Sequence, residues 1–507
     1  MPMPLRKMVE STSGKKIFRG AIYGLSTWAL PISLSLVVTP ILVRTLGSLE
    51  YGIYALVLGF IAYSFNFNIG RAATRYIAEY RSTGREDEIG SIVTATLLIN
   101  IIVGLIGLSS IFLTSDWLVK DIFRIGYDHQ SISIYSLKLA GLIIFILILG
   151  QIFTSVVQGF QRFDIYARLQ NFNSFAGLTG NLVLALNGYG LTALLTWNLI
   201  VSILSCIFSA IAALRLLKGL TIVNFSSSAI KLVIRHSSGV VGYQIAANGL
   251  LLFERGWITS HFGSSDLTYY VVPMSLSILL NGFVISLTMS LFPTTSEIGH
   301  ERERLLDIYL ITNKIVCTLI VFPVVFLIVW SNVIMSVWLG IDFAAHSAQF
   351  LQLHTLTFGF ISIYVVSFQV AEGVGKANFN FITMFAAFLL TILLVIVVSP
   401  LYGLKGIAEV RSIVFFLVFL SYIFLERSLF GTIQLKFWGK TLFHLVIAAG
   451  FATSVGYLIG SQLDPSWFIL GLVGAIALIL YATILWMTGF VTNKEKKTIF
   501  RAFSKAR

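Results

Sequence analysis

Apolar runs of about twenty residues recur from residue 17 to residue 490, separated by short breaks rich in Gly, Asn, Ser and Pro. A run of that length crosses the hydrocarbon core of a bilayer as a helix. The runs are uninterrupted rather than alternating with a period of two, which predicts helices and excludes a barrel. The pattern predicts about fourteen spans, at 17–43, 52–80, 89–114, 132–157, 166–187, 190–217, 237–262, 267–296, 305–330, 344–372, 377–399, 403–426, 438–460 and 466–490. Typical breaks are Asn187-Gly188-Tyr189-Gly190 and Ser461-Gln462-Leu463-Asp464-Pro465. The longest break inside the array, 218–236, lies between spans six and seven.

The breaks repeat. Leu46-Gly47-Ser48-Leu49-Glu50-Tyr51-Gly52-Ile53-Tyr54 returns as Phe262-Gly263-Ser264-Ser265-Asp266-Leu267-Thr268-Tyr269-Tyr270, 216 residues later. Gln158 to Asp164 is echoed by Glu372 to Asn378 at an offset of 214, and Tyr189-Gly190-Leu191 by Tyr402-Gly403-Leu404 at 213. Three landmarks in one order mark an internal duplication. Six spans separate equivalent landmarks, and six is even, so both copies run in the same direction as a parallel repeat. The expected organisation is an N-terminal six-helix bundle over 1–217, a cytoplasmic linker over 218–236 and a second six-helix bundle over 237–427. Two extra helices and a basic tail follow over 428–507.

Composition sharpens the class. Of the 507 residues 57% are hydrophobic and 11% charged, against roughly a quarter charged in a soluble domain. A net charge of +13 would suggest nucleic-acid binding in a soluble protein. Here the charges sort by membrane side instead. With the N-terminus placed inside, 28 of the 35 Lys and Arg residues fall on the cytoplasmic side, which also places the C-terminus there. Cys206 and Cys317 sit within apolar spans and read as packing residues, without a disulfide or metal pattern.

Charge inside a span costs at least about 2.5–3.5 kcal/mol, so intramembrane charges are functional candidates. In span two, Ser64, Asn68, Arg71, Arg75 and Glu79 follow spacings of four, three, four and four, and are expected on one helix face. The plainer alternative for Arg71 and Arg75 is that they cap the cytoplasmic end and snorkel. In span seven, Gln244, Asn248, Arg255 and Thr259 fall within a narrow sector, with Glu254 beside Arg255. Its alternative is a structural pair of Arg255 with an acid. Span five carries Gln170, Asn173, Ser174, Gly177 and Asn181 at helical spacing, which serves a cavity or simply joins helices. Glu372, Glu409 and Arg411 are further coupling or charge-pair candidates; the last two are two residues apart and so need separate partners.

Arg44-Thr45-Leu46-Gly47, Glu50-Tyr51-Gly52-Ile53-Tyr54 and Gly70-Arg71-Ala72-Ala73-Thr74-Arg75-Tyr76-Ile77-Ala78, after a basic N-terminus, resemble polysaccharide flippases of the O-antigen type. These belong to the multidrug/oligosaccharidyl-lipid/polysaccharide exporter superfamily, with the lipid II flippases and the multidrug and toxin extruders. The resemblance implies an all-α polytopic membrane protein with two six-helix bundles around a central cavity that opens alternately to each side. It also implies a polyprenyl-linked oligosaccharide as cargo. H⁺ or Na⁺ coupling, membrane lipids and contact with polysaccharide assembly enzymes belong to the same expectation. The chain departs from the lipid II flippases in span one, whose body holds no basic residue between Arg19 and Arg44.

Two rivals remain. A multidrug extruder would use intramembrane carboxylates, whereas span one has no Asp or Glu and the deepest charges include Arg. A membrane glycosyltransferase or polymerase would need acids on an extended outer loop, but the longest outer segment is 115–131. No HExxH, nucleophile elbow or phosphate-binding Gly loop occurs, so no catalytic residue, metal or cofactor is expected. His354 and His444, in apolar spans, read as packing residues.

The topology is directly testable. Single Ser→Cys changes at Ser48, Ser264 and Ser461 should react with an impermeant maleimide from outside, and those at Ser82, Ser227 and Ser428 should not. Labelling of both sets from one face would overturn the span order and the direction of the repeat.

Overall fold

The structure is a computed structural model and describes residues 12–65, 67, 69–218, 226–288, 291, 295, 296, 301–460 and 462–491. Its long elements are all helical. In chain order they are α1 Thr12–Tyr63, α2 Gly70–Ser82, α3 Ile89–Trp117, α4 Tyr127–Gly159, α5 Phe163–Leu186, α6 Leu191–Leu216 and α7 Ser227–His261. There follow α8 Ser264–Thr288, α9 Arg302–Val329, the short α10 Ser331–Leu339, α11 Ile341–Gly373, α12 Ala377–Phe430, α13 Leu435–Gly460 and α14 Trp467–Met487. Ten helices among the described residues are long and apolar enough to cross a membrane. Of the expected linker, 219–225 lie outside the described residues, and α7 already begins at Ser227.

Two of these helices contain a break. Helical dihedrals fail at Gly47 in α1 (φ 74°, ψ 167°) and at Gly403 in α12 (φ 63°, ψ −154°). A left-handed φ costs a Cβ-bearing residue, so glycine sits at the turning point. In a straight helix Thr39 and Tyr51 would stand about 18 Å apart. The Tyr51 hydroxyl instead comes within reach of Thr39, so the chain reverses at Gly47.

Backbone conformation carries the duplication as well. Gly47 and Gly263 both hold positive φ (74° and 99°), as do Arg124 and Gly340 (50° and 101°) and Gln161 and Gly375 (57° and 81°). These pairs are separated by 216, 216 and 214 residues. Arg124 and Gln161 keep the left-handed turn without the glycine their counterparts use. At the second of these turns the Arg162 guanidinium grips the Asp164 carboxylate at 2.9 Å and holds its pKa down at about 2.

The chain divides into two compact units. The first comprises Met1–Thr268 with Met384–Ile392, and so includes α7. At its core Ala73 and Ile77 of α2 pack with Ile92 of α3, Ile152 and Val156 of α4, and Val233 of α7. Close approach is built in, because Gly159 of α4 lies where a Cβ would come within 2.7 Å of Ile77.

The second unit comprises Tyr269–Thr383 with Leu393–Arg507. One buried carboxylate, Glu426 of α12, organises its polar interior. It accepts from the Tyr309 hydroxyl of α9 at 2.9 Å, the Trp438 indole N–H of α13 at 2.6 Å and the Gln434 backbone N–H at 2.7 Å. The first of the two appended helices, α13, is thus tied to α9 and α12 through one acid. Replacing Glu426 by Ala strands buried donors at about 1–3 kcal/mol each. Thermal stability in detergent, followed by size-exclusion recovery, should fall most for Glu426→Ala, less for Glu426→Gln and least for Tyr309→Phe. Equal stability of all three would show that the acid is not the tie.

Candidate functional site

The expected polar face of span two is divided by the structure. Ser64 ends the α1 segment, where its hydroxyl donates to the Phe60 carbonyl at 2.6 Å, and a new helix begins at Gly70. Ser64 therefore does not share a helix with Arg71, Arg75 and Glu79; Asn68 lies outside the described residues. The break follows from how α2 is seated. Gly70 leaves room for the Ser155 hydroxyl, 2.1 Å from where a Cβ would stand, and the Thr74 hydroxyl lies 3.3 Å from the Ser155 carbonyl.

That seating buries Ala72, Ala73 and Ile77 and leaves Arg71 and Arg75 on the exposed side of the helix. Arg75 lies 5.7 Å from the Tyr76 ring centroid. The N-cap of α2 is Ile69, which offers no side-chain acceptor to the first turn. Free N–H groups and the helix dipole make such an end attractive to an anion, and Arg71 stands in that first turn.

Helices α5 and α7 are long enough to cross a membrane but are not among the ten that are also apolar enough. Their polar side chains must meet protein or water. In α5 they largely meet protein. Asn181 is buried, and its amide donates to the Tyr54 hydroxyl at 3.1 Å and to Asn198 of α6 at 3.0 Å. Asn171 donates to Ser26 at 3.1 Å, and Asn173 accepts from Ser205 at 3.0 Å. These bonds join α5 to α1 and α6. Tyr54, the hub, escaped attention because an aromatic in an apolar run reads as core.

In α7, Gln244 and Asn248 are half-buried and Glu254 is buried. Arg255 reaches α1: its Nη1 donates to the Ala55 carbonyl, and its guanidinium lies 5.4 Å from the Tyr63 ring centroid. Gly59 makes the slot, since a Cβ there would come within 2.6 Å of Arg255 Cδ. Positions 51, 55, 59 and 63 follow one helix face, and this four-residue spacing could have been read from sequence beside Arg255. Helix α2 packs against α7, so Arg71 and Arg255 ride on touching helices of one unit.

The remaining candidates lie in the second unit. Glu409 pairs with Lys405 at 3.5 Å, one turn back along α12. Arg411 is buried, with Nη1 3.6 Å from Met274 Sδ and its guanidinium 5.3 Å from the Phe358 ring centroid. Glu372 is half-buried near the end of α11. Buried His354 bonds the Tyr270 carbonyl at 3.1 Å, a packing role. Among the described residues no group of His, Cys, Asp or Glu is arranged to hold a metal ion.

Helices of this number, broken at glycines, define a polytopic helical membrane fold, and the comparisons agree. The structure superposes on a lipid II flippase, MurJ, in an inward closed conformation with a TM-score of 0.72 at 15% identity, covering 92% of this chain and 98% of that one. It superposes on an inward-facing multidrug resistance MATE family transporter of the MOP superfamily with a TM-score of 0.64 at 14% identity, covering 84% and 97%. By sequence, the chain is 21% identical over 404 residues to a Shigella flexneri protein named "Putative O-antigen transporter", covering 78% of this chain and 94% of that one. Residues 18–299 match the polysaccharide biosynthesis protein family, and the chain belongs to it.

The Asn181 network generates a prediction. Asn181→Ala leaves the Tyr54 hydroxyl and the Asn198 amide short of partners, at about 1–3 kcal/mol. The melting temperature of the purified protein should fall by several degrees. An unchanged melting temperature would show that the network does not join these helices.

Proposed function

We propose that this protein moves a polyprenyl-(pyro)phosphate-linked oligosaccharide from the cytoplasmic to the outer leaflet of the plasma membrane by alternating access. The observation that carries this reading is the start of α2, where an N-cap residue without a side-chain acceptor, Ile69, coincides with the exposed side chains of Arg71 and Arg75. A phosphate is the ligand such a set suits, because N–H groups, dipole and guanidinium forks all favour an anion. Arg255, Gln244 and Asn248 on α7 extend the polar surface for phosphate and sugar. The apolar tail stays in lipid. Family membership and the O-antigen transporter's name support a cargo of this class. Coupling to H⁺, Na⁺ or the membrane potential would supply the driving force, the last worth about 2.3 kcal/mol per charge per 100 mV.

The likeness to MATE structures favours one second reading, export of a cationic compound with Glu254, Glu372 or Glu409 as coupling acid. An anion-binding start to α2 argues against it. Reconstituted protein should accelerate translocation of a polyprenyl diphosphate-linked sugar over empty liposomes and leave a cationic dye unmoved; the reverse result would exchange the two readings.

Arginine chemistry provides the finer test. Lys keeps the charge but loses the planar fork, and Ala loses both. Translocation should fall from Arg to Lys to Ala at Arg71, and the Arg71→Ala, Arg255→Ala double variant should fall to the empty-liposome rate at normal abundance. Parent-level translocation by the double variant would refute the cationic site.

A further inference from the structure

The two copies of the repeated turn touch each other, and the contact lies on the same side of α1 as the Arg255 slot. The Thr268 hydroxyl donates to the Ser48 carbonyl at 2.6 Å, and the Ser48 and Ser265 hydroxyls are 3.4 Å apart. Gly52 lies so close to the Ser264 carbonyl that a Cβ would stand 1.7 Å from its oxygen. One and two turns further along α1 come the Ala55 carbonyl and Gly59, both against Arg255. Ser48, Gly52, Ala55 and Gly59 follow spacings of four, three and four, so a single seam of small residues faces the α7–α8 corner. All of these residues lie within the first unit.

We propose that this seam is a latch holding the two repeated turns together on the side the charge pattern places outside, and that Arg255 is the positioning residue that holds it shut. The bond it makes in the closed latch is to a neutral carbonyl. A phosphate oxygen is a stronger acceptor for a guanidinium, because charge-assisted bonds are about twice as strong as neutral ones. Cargo phosphate reaching Arg255 therefore competes with the Ala55 carbonyl. Once the guanidinium leaves its slot, the seam loses the bond that anchors it to α7, and the hydroxyl bonds at Ser48 and the close approach at Gly52 are left to hold the turns. The latch then opens because cargo is bound, which couples occupancy to opening. The seam requires glycine at 52 and 59, since any Cβ would hold it ajar. The inference rests on the transport reading for the identity of the cargo, but not for the closure itself.

The test uses the full chain in lipid nanodiscs, with Cys206→Ala and Cys317→Ala to remove native thiols. Ser48→Cys with Ser265→Cys should form an intrachain disulfide rapidly under mild oxidation, because the replaced hydroxyls are 3.4 Å apart. Arg255→Gln should slow the cross-link several-fold without any lipid added, and Arg255→Lys should restore part of the rate. Gly52→Ala should slow it without touching Arg255, which guards against misfolding of the arginine variants. A polyprenyl diphosphate-linked sugar should slow the parent pair several-fold, polyprenol alone should not, and Arg255→Gln should be insensitive to both. Translocation in liposomes should stop when the disulfide is closed and resume on reduction. An unchanged cross-linking rate in Arg255→Gln, or translocation continuing with the disulfide closed, would overturn the latch while leaving the transport reading intact. A reduced parent that moves no lipid-linked sugar would overturn the transport reading and release by cargo with it; the lipid-free arms would still judge the closure.

Discussion

A guanidinium within a bundle of membrane helices must be met by the protein, and Arg255 is met by one face of α1. The Ala55 carbonyl takes one of its N–H groups, the Tyr63 ring lies beside its charge, and Gly59 gives it room. That arrangement decides more than the fate of one charge. It draws α7 into the first compact unit, beyond the six spans of the first repeat. It also brings the two copies of the repeated turn against each other at Ser48, Gly52, Ser264 and Thr268. A hydrocarbon environment offers no water to compensate a lost partner, so such contacts fix helix position more strictly than apolar packing does.

The other polar interiors follow the same rule with different chemistry. Amides join α5 to α6 and α1 at Asn181, Asn198 and Tyr54. A carboxylate ringed by donors joins α9, α12 and α13 at Glu426. By contrast Arg71 and Arg75 face away from the packed side of α2, whose rear is glycine, alanine and isoleucine against α4. A side chain committed to a neighbour is poorly placed to meet a ligand. The buried amides of α5 are committed in this way to assembly.

Much of the helical order was legible because breaks in membrane helices need glycine or polar turns. Expected spans such as 190–217 and 344–372 differ by only a few residues from Leu191–Leu216 and Ile341–Gly373. The duplication was legible in three short motifs, and positive φ recurs at Gly47 and Gly263, though Gln161 and Arg124 keep that φ without the residue that would announce it. The break before Gly70 was not legible. Ser64, Asn66, Asn68 and Gly70 are polar or turn-forming but alternate with Phe65, Phe67 and Ile69, and the close seating of Gly70 on Ser155 is a tertiary contact that no local pattern shows. Glu426 and Tyr54 were missed for a related reason. A lone acid near a span end reads as solvated, and a tyrosine in an apolar run reads as core, until the donors and acceptors around them are seen.

Arg255 shows why the site was harder to read than the fold. Sequence placed it among polar residues and offered two roles, cargo contact or partner of a nearby acid. The structure shows a third arrangement, a bond to a backbone carbonyl on another helix, which no side-chain pattern encodes. A neutral backbone acceptor satisfies a guanidinium well enough to hold a helix in place, yet less strongly than an anion would. An ion pair of Arg255 with a carboxylate would be harder for an incoming phosphate to displace, and no contact at all would leave the α7–α8 corner unrestrained. A carbonyl lies between these extremes. The latch proposed for the seam calls for such an acceptor of intermediate strength, and the Ala55 carbonyl beside the Gly59 slot supplies it.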